Sequence, residues 1–97
     1  WLAELGSGTV KYRLIKLIQI LIDTQKLPNG QVVLLSNHDT ASILATAEES
    51  VSRNISSLKH SGLIRKVEKR VYQVDTKVLD ELLIKFENKQ SGHALQV

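Results

Sequence analysis

Two helix-start signals ten residues apart, a charged hairpin behind a glycine stop and a broad apolar helix ahead of both predict a mainly α fold with a small β-hairpin, the winged helix-turn-helix. At 97 residues the chain makes one domain around one small core. Leu, Ile and Val supply that core, alongside one Phe, one Trp and no Met.

Each element has its own signal. Trp1 to Leu5 reads as the last turn of a helix begun upstream, halted by the hinge Gly6-Ser7-Gly8, which sets residues 1–8 apart from a domain over 9–87. From Thr9 to about Gln25, Val10, Leu14, Leu17, Ile18, Leu21 and Ile22 recur with a helical period and a broad buried face. Leu27-Pro28-Asn29-Gly30 ends that helix in a turn, and the β-branched run from Gln31 to Leu35 reads as a strand.

Ser36-Asn37-His38-Asp39 then has the form of a capping box: Ser36 accepts from the amide three residues on and opens a helix to about Leu44. Thr46-Ala47-Glu48-Glu49 repeats the pattern, so a second helix starts after a three-residue turn and runs to about Ser61. Gly62 suits the left-handed position that follows a helix end. Leu63–Val67 and Val71–Val74 are strands joined by Glu68-Lys69-Arg70. Asp75 or Thr76 caps a last helix that buries Val78, Leu79, Leu82, Leu83 and Phe86, and residues 88–97 read as a polar, frayed tail.

The net charge of +3 divides as +2 over residues 1–35, +2 over 36–74 and −1 over 75–97. That bias suits a phosphate-binding surface without proving one. With no cysteine there is no disulfide framework, thiolate nucleophile or sulfur-ligated zinc finger. The apolar run Leu14–Ile22 is broken by Lys16 and Gln19 and is far shorter than a membrane span, and no secretory cleavage signal accompanies it. A cytoplasmic protein is therefore expected. The absence of methionine and the tryptophan start predict a chain that continues upstream.

On a helix starting at Glu48, Val51, Ile55 and Leu58 fall on one stripe and turn toward the core. The opposite face should present Glu49, Ser50, Arg53, Asn54 and Ser57, with Ser52 and Ser56 on its flanks. The five serines between Ser50 and Ser61 weaken intrinsic helix stability but keep the side chains short, which lets a backbone approach phosphates and base edges. Arg53 can pair bidentately with guanine, and Glu49 can accept from a cytosine amino group. Taken alone, the two residues are an ordinary solvated i, i+4 ion pair; their setting between paired capping signals and a basic hairpin favours base reading. Arg65, Lys66, Lys69 and Arg70 of the hairpin would touch phosphates as a wing, or equally would protect an edge strand.

His38, His60 and His93 lack metal-ligand spacing and read as surface residues. No Gly-rich phosphate loop, supported Ser/His/Asp set or paired carboxylates in an apolar pocket points to an enzyme.

The stretch LSNHDTASILATAEESVSRNISSLKHSGLIRKVEKRVYQVD, Leu35 to Asp75, resembles the DNA-binding domain of the Crp/Fnr family of bacterial transcription regulators, most strongly in EESVSRNISSLKHSGLI. The resemblance implies that Glu49 and Arg53 read bases. It also implies that Ser50 contacts phosphate and that Ser36 and Asn37 do so at the start of the first short helix. Lys66 and Lys69 are assigned to phosphates from the wing.

Three departures stand out: Glu48 sits at a DNA-facing position where several members carry a base-contacting arginine, Ala45 where glycine is common, and Thr40 where a core Leu or Ile is usual. What the resemblance implies beyond this stretch is an upstream β-roll of the cyclic-nucleotide-binding type that would take an effector, no cofactor in this stretch itself, a dimerisation helix ending in Trp1 to Leu5, a homodimer on two-fold related duplex DNA, and RNA polymerase as a partner. A MarR-like winged-helix repressor and a winged-helix protein-interaction module remain as other readings.

Overall fold

The computed structural model describes residues 9–95, with side chains as far as Glu87. The expected upstream helix end and hinge at residues 1–8 lie outside the described residues, as does the side chain of His93.

Helix α1, Val10–Gln25, starts at Thr9, whose Oγ1 accepts from the Tyr12 amide at 3.1 Å. It stops at Lys26, in the left-handed region at φ 51°, where the amide donates to Ile22 O. Tyr12, Leu14, Ile15, Leu17 and Ile18 are its buried residues, so the inward face takes in Tyr12 and Ile15 as well as the predicted stripe; Val10, Leu21 and Ile22 are half-buried. This helix is the centre of the molecule and packs against the next two helices, the last helix and the first strand. Fully burying a Leu or Ile side chain stabilises by about 1.5–3 kcal/mol, and Leu14, Ile15 and Ile18 are each at or below 1% exposed.

A 3-10 turn at Pro28–Gly30 leads into β1, Gln31–Val33. The strand is two residues shorter than the apolar run predicts, because its ladder ends at the Val33–Val71 pair and the Leu34 amide donates instead to Arg70 O at 2.8 Å.

Helix α2, Asn37–Leu44, begins as expected, with Ser36 Oγ accepting from the Asp39 amide at 3.1 Å. Ala45 follows at φ 53° and ψ 51°, Thr46 N–H donates to Ala41 O, and Ala45 N–H donates to Ser42 O. That pair of bonds is the Schellman closure, here with alanine at the position glycine usually takes. Arg13 of α1 adds a donor, its Nη1 reaching Leu44 O where the carbonyl end of the helix dipole favours a cation. Thr40 is 4% exposed. Among the described residues, the buried side-chain polar atom left without a partner is Arg13 Nε.

Helix α3, Glu48–His60, corrects the second capping signal. Its N-cap is Ala47, with no side-chain cap bond, and the Thr46 box does not form. The Schellman closure holds the Thr46 amide to Ala41, and the helix starts at Glu48, the position from which its buried stripe is read, without a side-chain cap. Glu48 and Glu49 then occupy the first turn, where their charge complements the dipole. The helix ends at Ser61, followed by Gly62 at φ 85°.

The hairpin consists of β2, Ile64–Glu68, and β3, Val71–Val74, with Arg70 at φ 65° in the turn and an irregularity between Lys66 and Glu68. It does not stand alone. The sheet has three antiparallel strands in the order β1-β3-β2, with Gln31 opposite Gln73 and Ile64 opposite Val74.

Helix α4, Thr76–Leu95, is capped by Asp75, whose Oδ1 accepts from the amides of Lys77 and Val78 at 3.1 and 3.2 Å. It buries Leu79 and Leu83 and half-buries Val78, Leu82 and Phe86; the Phe86 ring lies 5.6 Å from that of Tyr12. The helical backbone continues to Leu95.

Candidate nucleic-acid interface

The orientation of α3 is fixed by its inner stripe. Val51 and Leu58 are fully buried and Ile55 is 9% exposed, so the far side of the helix has to face solvent. The face found there is rotated from the expected one. Glu48, Glu49, Ser52, Arg53 and Ser56 are exposed, whereas Ser50, Asn54 and Ser57 are half-buried along the flank next to α1. Lys11 of α1 borders that flank, its Nζ donating to Ser57 Oγ at 2.8 Å. Asn54 turns its amide back on its own helix, donating to Ser50 O at 2.8 Å. Ser52 and Ser56, read from sequence as flanks, therefore belong to the outward ridge.

Arg53 and Glu49 are about three-quarters exposed and form a hydrogen-bonded i, i+4 ion pair, Nη2 to Oε1. An exposed pair of this kind contributes only about 0.2–1 kcal/mol, so either side chain is free to exchange its partner for a base edge. Glu48 turns the other way, toward the start of α2, where its Oε2 is 3.3 Å from His38 Nδ1.

Beside this ridge runs a groove of about 360 Å³, between the first turns of α2 and α3 and the hairpin. Ser36, Asn37, Glu48, Lys66 and Lys69 line it together, which gathers five of the eight predicted site residues. Glu49, Ser50 and Arg53 lie on α3 outside it. His38 and Arg70 are among the further residues that line the groove. Sequence reading placed His38 among ordinary surface histidines. The signal it missed is that His38 and Glu48 occupy the first turns of successive helices, which the short turn brings together.

The hairpin cations do not act as one group. Arg65 lines a second groove, of about 630 Å³, with Lys59, Gln73 and Asp75. Lys59 lies 5.7 Å from the centre of the Tyr72 ring. Nor is Arg13 part of the outward basic surface, since it is committed to the carbonyl end of α2.

The Crp-like helix-turn-helix family model matches residues 12–82, which takes in every element from α1 to the first half of α4. The chain belongs to that family. DNA-binding transcription regulation is the function of such domains, and the Crp-like chain is accordingly a DNA-binding regulatory domain with a winged helix-turn-helix fold. It is 29% identical over 97 residues to the transcriptional regulator LdrP from each of two strains of Thermus thermophilus. The alignment covers 97% of this chain and 46% of each relative, so the chain spans about half their length. No solved structure matches significantly. Among the described residues, no helix is long and apolar enough to cross a membrane.

Proposed function

We propose that this Crp-like domain reads a specific promoter sequence, with α3 in the major groove, as the DNA-binding part of a Crp/Fnr-type regulator. The observation that carries the reading is the exposed Arg53 on a ridge whose other side is the core, next to a groove walled by Lys66 and Lys69. Arg53 and Glu49 serve base edges, the arginine forking onto guanine and the carboxylate accepting from a base amino group. Ser36, Asn37, Ser50, Lys66 and Lys69 hold phosphates and set the register. Glu48, at the DNA-facing start of α3, carries an acid where a cation would have attracted phosphate, so it acts by discriminating between sequences.

In the whole protein this reading places an effector-binding domain upstream, a homodimer on two-fold related half-sites, RNA polymerase as a partner and the cytoplasm as the compartment. The half-length match to LdrP, a transcriptional regulator by name, supports a larger regulator.

Selection from a random duplex pool tests the reading by yielding an enriched half-site. On that site Arg53→Ala should lose about 1–3 kcal/mol, or about 5- to 150-fold in affinity, with a much smaller loss on random duplex. Equal losses on both would remove Arg53 from the bases.

A further inference from the structure

We infer that Lys11 is a further DNA contact, a phosphate-binding lysine that Ser57 keeps in position on the flank of α3 opposite the hairpin. The inference rests on the DNA-binding reading above and adds to it the residue that serves the second backbone of the major groove.

The ridge that carries Glu49 and Arg53 has a flank on either side. On one, Glu48 and Ile55 line the groove shared with Lys66, Lys69 and Arg70, and Lys59 lies over the Tyr72 ring of β3. Helix geometry turns Ser57 about 180° around the axis from Glu48, onto the other flank with Ser50 and Asn54. Those three residues are half-buried beside α1.

An α-helix with its side chains is about 10–12 Å across, and the major groove of B-form DNA is about 12 Å wide. A helix lying in that groove therefore has a phosphate backbone along each flank. Lys66, Lys69 and Arg70 serve one of them. On its other flank α3 has only neutral side chains, and Asn54 is turned back on Ser50 O. The cation on that side comes from α1.

Lys11 lies in the first turn of α1, half-buried, with Nζ 2.8 Å from Ser57 Oγ. Its charge has no carboxylate partner among the described residues, whereas Lys16 is paired with Glu87 and Arg53 with Glu49. Arg13, two residues on, is spent on the carbonyl end of α2. An ammonium group has three N–H donors, and the Ser57 hydroxyl accepts from one, so two stay available to a phosphate oxygen. Partial burial and the bond to Ser57 restrict the side chain before DNA arrives. It then loses less rotamer freedom on contact than a lysine free in solvent.

Binding isotherms on the selected site and on random duplex, across a salt series, test the assignment with the protein in its native length and oligomeric state. Lys11→Gln removes the charge and keeps an amide able to donate to Ser57. It should weaken both duplexes alike, by about 5- to 10-fold for each domain bound, and lower the salt slope by about one per domain. Lys26→Gln removes the same charge from the far end of α1 and should leave the slope as it is. Ser57→Ala keeps the charge, so the slope should hold while affinity falls about 2- to 5-fold. In the Lys11→Gln background Ser57→Ala should add no further loss, because the hydroxyl acts through the ammonium. An unchanged slope in Lys11→Gln, an equal fall in Lys26→Gln, or an additive loss in the double variant would each overturn the inference while leaving DNA binding intact. Failure of the wild type to bind any duplex would instead overturn the DNA-binding reading itself.

Discussion

At Ala45 the backbone turns left-handed, at φ 53°, to close α2 and aim α3. An L-residue there costs on the order of 1 kcal/mol, offset by the Schellman bonds and by Arg13 on Leu44 O. The same closure separates the two hydroxyl residues that look alike in sequence. Ser36→Ala should lose about 1 kcal/mol, because a real N-cap bond to the Asp39 amide disappears. Thr46→Ala should cost less than about 0.5 kcal/mol, because Thr46 caps nothing. Urea denaturation of the two variants checks the contrast, and similar losses would mean that Thr46 caps α3 after all. The first box was legible from four residues because its bond is local. The second was not, because its failure depends on an amide already held by the preceding helix.

Among the elements, the strands show what pattern reading reaches and where it stops. Charged residues at the tip and alternating Val and Tyr mark the hairpin, and β3 falls where the sequence places it. The pairing of β1 with β3 joins residues about 40 apart, a partnership no local signal reports. The outer edge of β1 is covered by a side chain: Gln25 accepts from the Val33 amide at 2.8 Å and donates to Val33 O at 2.9 Å, imitating a neighbouring strand. Gln25→Ala should therefore speed hydrogen exchange of the Val33 amide selectively, with little change at Val32, whose ladder faces β3. Unchanged exchange at Val33 would show that the glutamine does not guard the edge. Rotation of α3 belongs to this scale too. Periodicity found its buried stripe, while Ser50, Asn54 and Ser57 lie half-buried on the flank that Lys11 borders.

Over the whole molecule, charge arrangement matters more than the sum of +3. Lys66, Lys69 and Arg70 share one groove with the starts of α2 and α3, while Arg65 lies on another side of the hairpin. Each phosphate contact contributes about one to the slope of log affinity against log salt. Lys69→Ala should thus weaken all duplexes alike and reduce that slope by about one, and Arg65→Ala should leave it unchanged. Binding isotherms across a salt series distinguish the two; an equal effect from both would mean that the wing acts as a diffuse charge rather than as a set of contacts.

Sequence by itself determined the fold class, the order of the helices, the inward stripe of Val51, Ile55 and Leu58 and the exposure of Arg53, since these follow from periodicity and from bonds between near neighbours. Tertiary structure alone decided that Thr46 leaves α3 uncapped, how far the outward face of that helix is turned, the third strand, and the meeting of His38 with Glu48 beside the hairpin cations. The physical reason is distance along the chain: those features arise where separate elements compete for one amide, one flank or one groove, and only packing settles that competition.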